Sequence, residues 1–513
     1  MTILLAISAV VVCFWVSKVL IWLWLKPKKL ERLLREQGFN GTSYRFLFGD
    51  LKQLVSMSTK AVSKPMDLSH RTVPRVLPFI HETIETYGPM SYIWIGVTPR
   101  VNILDPELIR NILSNKFGHF SLIKQNPFTK LLAGGIVSYE GEKWAKHRRI
   151  ITPAFHLEKL KLMVPALYAS CADLVDRWEK LASNGTSEVN VWPDIQRLTA
   201  DVISRTAFGS SYEEGRRIFQ LQNEQMKLFL GVILFLFIPG FRFLPTKKNR
   251  RIKEIDREVR SILSDMINKR ENAIKDGEAH KDDLLGMLLE SNRKLFQEND
   301  NMKWLGMTIE DVIEECKLFY IAGQETTSSL LVWTMVVLSM HSEWQARARE
   351  EVLRVFGSGE PNFDGLSHLK IVTMILYEVL RLYPPVTMLA RYNHKDMKLG
   401  NLTLPAGVEI TLPTIAVHHD RAIWGEDAEE FNPKRFSEGI SKATNNQVSF
   451  FPFGWGPRIC LGQAFSLIEA KMAMAMILQR FSFELSPTYV HAPCNVLTLL
   501  KPQHGVQIIL HKL

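Results

Sequence analysis

Ten residues near the carboxyl end, Phe453-Gly-Trp-Gly456-Pro-Arg458-Ile-Cys460-Leu-Gly462, stand just ahead of a strongly helical run from Gln463 to Gln479. A cysteine at the start of a helix faces unsatisfied backbone N–H groups and the positive end of the dipole. Both favour its thiolate and donate hydrogen bonds to sulfur. The surrounding glycines let backbone come close to a large flat ligand. The segment therefore reads as a thiolate cradle. The other four cysteines, Cys13, Cys171, Cys316 and Cys494, form no Cys-x-x-Cys pair with one another or with Cys460. Neither a disulfide framework nor a zinc ribbon is supported, and a reducing compartment is the simpler reading.

Three further patterns could serve a reactive centre. Glu378-x-x-Arg381 puts a carboxylate and a guanidinium on one helix face. Six other Glu-x-x-Arg spacings occur in the chain, but this one lies in an otherwise apolar helix, Ile371 to Leu382, that ends at Tyr383-Pro384-Pro385. Ala322-Gly323-Gln324-Glu325-Thr326-Thr327 sits in the middle of the longest helix candidate, where a Gly and two Thr cost roughly 1 kcal/mol or more relative to Ala. A hydroxyl beside a carboxylate can relay protons through water. The plainer alternative is a threonine bonding back to the helix carbonyls. Trp144-Ala-Lys-His-Arg148 offers an indole N–H and a guanidinium one turn apart, suited to anionic ligand groups or to a solvated basic helix.

Phe-x-x-Gly-x-Arg-x-Cys-x-Gly resembles the haem-binding signature of the cytochrome P-450 superfamily, and the remaining patterns follow in that superfamily's order from Trp144 to Gly462. The resemblance implies haem b with Cys460 as axial thiolate and iron ligand, and Phe453, Gly456 and Gly462 shaping the cradle. It implies Trp144, Arg148, Arg391 and Arg458 facing the propionates. Glu378 and Arg381 would join Arg435, in Phe431-Asn-Pro433-Lys434-Arg435-Phe436, in a network behind the haem. Gly323 would weaken the long helix to open a groove for O2, with Thr326 as proton relay and Glu325 as its acid partner. The implied activity is a monooxygenase using O2 and NADPH electrons from an NADPH-cytochrome reductase. A haem-thiolate isomerase or lyase would not need Glu325 and Thr326, and a haem carrier would need neither groove nor apolar pocket. One departure is the absence of the superfamily's Pro-rich hinge, replaced by Gly38-Phe-Asn-Gly41.

The elements that must position these residues are mostly helices. The composition, 46% hydrophobic and 23% charged, excludes a disordered chain. Charged and apolar residues mix at helical spacing over most of its length, and the long helix candidate runs from a capping-box pattern at Thr308 to about Met340. Short β-like runs at Ser91–Ile95, Val101–Leu104, Val408–Leu412 and Val506–Leu510 predict a small sheet-containing lobe on a mainly α body. The expected fold is the cytochrome P-450 fold with an N-terminal transmembrane helix. Residues 2–25 are almost wholly apolar, with Lys18 the only charge, and a span needs roughly 20 such residues. Lys26-Pro27-Lys28-Lys29 follows, which places the body on the cytosolic side. The expected organisation is a signal anchor over 1–25, a basic flank and linker over 26–50, and the haem-binding monooxygenase domain over 51–513, single-pass in the endoplasmic reticulum membrane. The net charge of +10 is concentrated in Lys26–Glu36, Lys143–Lys161 and Phe241–Arg260. The first and third suit anionic lipid and the second an acidic reductase, so nucleic acid is not expected as a partner. Gly231–Ile238 is too short to span and reads equally as core or as a segment that dips into lipid.

Arg45-Phe-Leu-Phe-Gly-Asp50, Ile151-Thr-Pro-Ala-Phe155 and the ending His504 to Leu513 resemble plant family 72, subfamily A, of the superfamily. That resemblance implies oxidation of a hydrophobic terpenoid: an oleanane-type triterpene, an iridoid glucoside or a gibberellin, with herbicide detoxification also within the subfamily's range. Substrate-facing positions by the same resemblance are Phe117, Phe120, Ala322, Met388, Leu389 and Leu497, with the apolar stretch 228–237. Their bulk suits a terpenoid skeleton.

Overall fold

The apolar amino-terminal run folds as helix α1 (Thr2–Leu20), passes through a five-residue π-helical turn (Ile21–Leu25) and continues as α2 (Lys26–Glu36). This computed structural model describes residues 2–115, 118–123, 127–238, 240–276, 283–297 and 306–513. Ile3–Glu36 is a single stretch long and apolar enough to cross a membrane. The side chains of α1 are exposed, whereas α2 buries Pro27, Leu30, Glu31 and Leu34 against the body. The region expected as a linker therefore begins as a packed helix. Pro27 is tolerated there because it occupies the first turn. The Tyr44 hydroxyl donates to the Leu23 carbonyl at 2.6 Å, inside the π-helical turn, and the Trp24 ring lies 6.0 Å from that of Tyr44.

The body is built around α3 (Gly141–Ile151), α4 (Leu157–Leu181), α5 (Val191–Phe208), α6 (Tyr212–Leu230), α7 (Lys247–Lys275), α8 (Ile309–Met340), α9 (Lys370–Leu382) and α10 (Gln463–Arg480). The central element is α8. The Thr308 hydroxyl accepts from the Asp311 N–H at 3.1 Å while the Asp311 carboxylate accepts from the Thr308 N–H at 3.2 Å, the reciprocal cap that the sequence predicts. Its 32 residues give a rod of roughly 48 Å. Helices α5, α7, α9 and α10 pack around it, and apolar residues on every face of its second half, Leu330 to Leu338, fit that enclosure.

The smaller lobe is a six-stranded sheet of Asn40–Gly41 (β1), Ser91–Ile95 (β2), Thr98–Asn102 (β3), Phe120–Ser121 (β4), Leu389–Asn393 (β5) and Glu409–Leu412 (β6), in spatial order β1-β2-β3-β6-β5-β4. Strands β5 and β6 are antiparallel with Arg391 opposite Ile410. The predicted run at 101–104 is displaced to 98–102, because a tight turn joins β3 directly to β2. A hairpin of Pro493–Val496 (β7) and Leu499–Pro502 (β8) carries Leu497 and Thr498 at its tip with φ of 60° and 105°. Non-glycine residues in the left-handed region cost about 1–3 kcal/mol each and persist only where their surroundings hold them. Here Asn495 Oδ1 accepts from the Thr498 N–H at 3.0 Å, and the Thr498 carbonyl accepts from the Thr387 N–H at 2.8 Å.

Candidate functional site

The loop before α10 is closed by the Cys460 N–H donating to the Phe453 carbonyl at 2.9 Å. Gly454 and Gly456 have φ of 74° and 73°, and a Cβ at Gly456 would come within 2.5 Å of the Leu113 carbonyl oxygen, so only glycine fits there. Gly462 is less constrained. A Cβ at that position would meet Phe155 at 3.8 Å and Cys460 Sγ at 4.0 Å, which are ordinary contacts. The Gly462 N–H and the Arg148 guanidinium favour the Cys460 thiolate, but burial outweighs them and pushes the thiol up. The raised thiol acidity expected from the helix terminus is therefore corrected: protein walls remove more hydration than one N–H and one cation return. Cys460 nonetheless keeps an accessible face, as does Ala322 on α8, although the helices that flank them cross the interior.

Behind the loop, Glu378 and Arg381 of α9 are fully buried and bidentate, with Nη2 to Oε1 at 2.7 Å and Nε to Oε2 at 2.8 Å. Arg381 also donates to the carbonyls of His418, Ala428 and Glu430 at 2.8, 2.6 and 3.0 Å. Arg435 approaches Glu378 Oε1 at 3.4 Å and pairs with Asp427 at 2.6 Å. The structure thus brings together the three residues that the sequence singled out. It adds His418, whose Nε2 accepts from the Phe451 N–H at 3.1 Å and so ties this network to the thiolate loop.

A family model described as Cytochrome P450 matches residues 74–510. The chain belongs to the cytochrome P450 family. It is 60% identical over 500 residues to Cytochrome P450 72A397 of Kalopanax septemlobus, covering 97% of this chain and 96% of that one. It is 57% identical over 497 residues to Cytochrome P450 72A68 of Medicago truncatula (97% and 95%), and 56% identical over 505 residues to Cytochrome P450 72A15 of Arabidopsis thaliana (98% and 97%). It is a monooxygenase of subfamily 72A, and its family implies a haem-thiolate cofactor.

The donor set of this P450 fits such a group. Arg391 is buried, and the one hydrogen bond its side chain makes among the described residues is to the adjacent Ala390 carbonyl at 2.8 Å. Burial and the nearby Arg458 push it down to about 10. Arg458 reaches the Tyr139 carbonyl at 2.8 Å and Glu140 at 2.9 Å, with its guanidinium 4.7 Å from the Trp144 ring centre. Arg148 donates to the Ile459 carbonyl at 2.7 Å. Three guanidinium groups and an indole thus converge with Glu140 as the nearby carboxylate, an excess of cationic donors that propionates would balance.

The long helix corrects one expectation. It is α-helical without interruption through Gly323, where a Cβ would lie 2.7 Å from the Ile203 side chain. The glycine is the seat that lets α5 approach, and no break opens at that point. Thr326 Oγ1 donates to the Ala322 carbonyl at 2.8 Å, the back-bonded arrangement, on the face that Ala322 leaves accessible. Glu325 is 6% exposed and forms an ion pair with Lys501 of β8 at 2.5 Å, outside the angular range of a hydrogen bond. A second pair was not foreseen: His147 Nδ1 lies 2.6 Å from Glu315 Oε1, both fully buried, while Glu315 Oε2 accepts from the Ile136 N–H at 3.1 Å. This strut fixes α3 on α8 and so aims Trp144 and Arg148.

Of the substrate-facing positions, Leu497 packs beside an apolar cluster of Phe128, Phe229, Val232 and Ile252. Met388 and Leu389 are half-buried. Phe120 is corrected: at 4% exposure it belongs to the core of the sheet lobe, where β4 pairs with β5. Phe117 lies outside the described residues. The stretch 231–238 is divided, with Val232 in the core and Phe235 exposed, just before the exposed Phe243 and Leu244.

Proposed function

We propose that this P450 oxidises a hydrophobic terpenoid, an oleanane-type triterpene in the first instance, in saponin-type specialised metabolism, with NADPH electrons delivered by a membrane-bound reductase. The observation that carries the reading is apolar packing at the hairpin tip, where the partly buried Leu497 lies against a core cluster of Phe128, Phe229 and Val232. A fused carbocyclic skeleton suits apolar surroundings of this kind, whereas a polar substrate would leave its groups unpaired.

In this reading Cys460 would hold the haem through its thiolate, with the loop of Phe453, Gly456 and Gly462 shaping the cradle, and Trp144, Arg148, Arg391 and Arg458 would receive the propionates. Bound haem supplies O2 activation, and a thiolate ligand favours O–O cleavage. The Thr326 hydroxyl is anchored through its hydrogen to Ala322, which leaves its lone pairs free to hold a water on the open face of α8. Glu325 is the acid partner, with Lys501 restraining its carboxylate. Gly323 contributes by setting the spacing of α5 and α8. Thr326→Ala is expected to leave NADPH consumption within about twofold while product falls and hydrogen peroxide rises several-fold. Unchanged coupling between electron consumption and product would remove Thr326 from the relay.

The helix α1 serves as a single-pass anchor in the endoplasmic reticulum membrane, with 1–25 in or at the lipid, 26–50 at its cytosolic surface and 51–513 as the catalytic domain. Exposed Arg149 and Lys161, on and after α3, offer an acidic reductase a basic face. Microsomes containing the chain, a plant reductase and NADPH should convert β-amyrin-type triterpenes to oxygenated products. No turnover on any such scaffold, with turnover of an iridoid, a gibberellin or a herbicide, would reassign the substrate class.

A further inference from the structure

A buried file of rings leads from the active-site helix to the surface and takes no part in the functions above. Trp333 of α8 lies seven residues after Thr326, two turns on and on the same stripe of the helix, a rise of about 10 Å. It is fully buried and stacked on Tyr383, at the end of α9, with ring centres 4.7 Å apart and planes 16° from parallel. Tyr383 is also fully buried, and its hydroxyl lies 2.9 Å from His70 Nδ1. His70 Nε2 lies 3.0 Å from His341 Nε2. His341 is 27% exposed and has Nδ1 3.8 Å from the Glu343 carboxylate.

The hydrogen-bond pattern assigns the protons. A buried phenol must donate, and among the described residues His70 Nδ1 is the one acceptor that Tyr383 meets. His70 Nδ1 therefore carries no hydrogen and Nε2 does, so His70 donates to His341 Nε2. His341 then bears its hydrogen on Nδ1, facing Glu343 and water. Each ring accepts on one side and donates on the other. Burial, reinforced by His341, His491, His419 and Arg381, pushes His70 down to about 3 and keeps its ring neutral.

We propose that Trp333, Tyr383, His70 and His341 form a protective outlet that carries oxidising equivalents out of the interior when turnover miscarries, as an electron vacancy on the aromatic pair and a proton on the imidazoles. The oxidant is the strong one-electron oxidant that a haem-thiolate monooxygenase generates when no substrate C–H bond is within reach. It takes one electron from Trp333. Tyr383 restores that electron, and as it does so its O–H bond breaks and an Nδ1–H bond forms on His70. The His70 Nε2–H bond breaks as an Nε2–H bond forms on His341, which releases its Nδ1 proton to water. In sum, one electron has gone to the oxidant, one proton to solvent, and Tyr383 is a neutral radical. A thiol or ascorbate-class reductant and a proton returned along the same path restore the starting tautomers.

The test uses the haem-loaded full-length protein, free of substrate, treated with cumene hydroperoxide. Freeze-quench electron paramagnetic resonance should show a tyrosyl radical, and peptide mass spectrometry of the wild-type protein should place oxidation on Trp333 and Tyr383. Tyr383→Phe keeps the stacked ring and removes the phenol. It should lose the tyrosyl signal and bleach its haem several-fold sooner per equivalent of peroxide, with an unchanged ferrous–CO spectrum. His70→Leu should shift the radical from tyrosyl to indole. A Tyr383→Phe protein with the wild-type radical and peroxide tolerance would overturn the proposal. So would wild-type oxidation confined to residues outside the file.

Discussion

Glu378→Ala is expected to give protein that neither binds haem nor holds its native fold. The wild-type carboxylate is fully buried and accepts from Arg381 through two nitrogens, from Arg435 and from the Asn432 N–H at 3.0 Å. Truncation strands the Arg381 guanidinium in a low-dielectric interior while Arg435 keeps Asp427, and breaking one partner of a buried pair costs about 3–5 kcal/mol. That is a large fraction of the ~5–15 kcal/mol by which domains are stable. The damage is not confined to the pair. Arg381 also holds the carbonyl of His418, whose ring receives the Phe451 N–H from the thiolate loop. Haem content, the ferrous–CO difference spectrum and the thermal midpoint should therefore fall together. Glu378→Gln, which keeps the shape and part of the hydrogen bonding, should fall less. Normal haem content in Glu378→Ala would reduce the network to an ordinary helix pair.

Cys460→Ala should separate chemistry from folding. The thiol contributes little to the protein by itself, being held by the Gly462 N–H and the Arg148 field against the cost of burial. Losing one such weak bond should change the stability of the haem-free protein by no more than about 1 kcal/mol. The loss in function should be complete. The thiolate-shifted Soret band of the ferrous–CO form should disappear and NADPH-supported product formation should fall to background, because a neutral or nitrogen ligand supplies far less electron density to iron. Retention of the shifted band in Cys460→Ala would move the iron ligand elsewhere. The two variants also check each other, since a general failure to express would silence both spectra and lower both midpoints.

What could be read from the sequence was chiefly what is local along it. The cap at Thr308, the span of α8 and the Glu378-x-x-Arg381 pair all depend on neighbours within a few residues, whereas Gly456, legible only from its motif, must be glycine because of the distant Leu113 backbone. The partners that chain topology supplies left no such signal. His147 meets Glu315 from 168 residues away, and Lys501 reaches Glu325 of α8 from the hairpin. A histidine between Trp144 and Arg148, and an acid on the buried side of α8, were the traces that could have exposed the first pair. Gly323 differs from its expected role for a related reason: its low helix propensity is local, but the Ile203 side chain that needs the space belongs to α5. The resemblance places Phe120 at the substrate, whereas strand pairing with β5 carries it into the sheet core.

The join between α2 and the body has a geometric consequence. With Leu30 and Leu34 packed and the Tyr44 hydroxyl fastened to the Leu23 carbonyl, the amino-terminal helix enters the body as one rod rather than as a tether. With the first helix as the proposed membrane anchor, the rod would set both the height of the body above that plane and the compass direction in which each flank points. For the membrane-bound reductase proposed above, the search would then be two-dimensional, for a flank whose bearing is already fixed. One residue inserted between Leu25 and Leu30 would turn the body by about 100° about that rod, leaving every catalytic contact intact and the basic flank facing the wrong way.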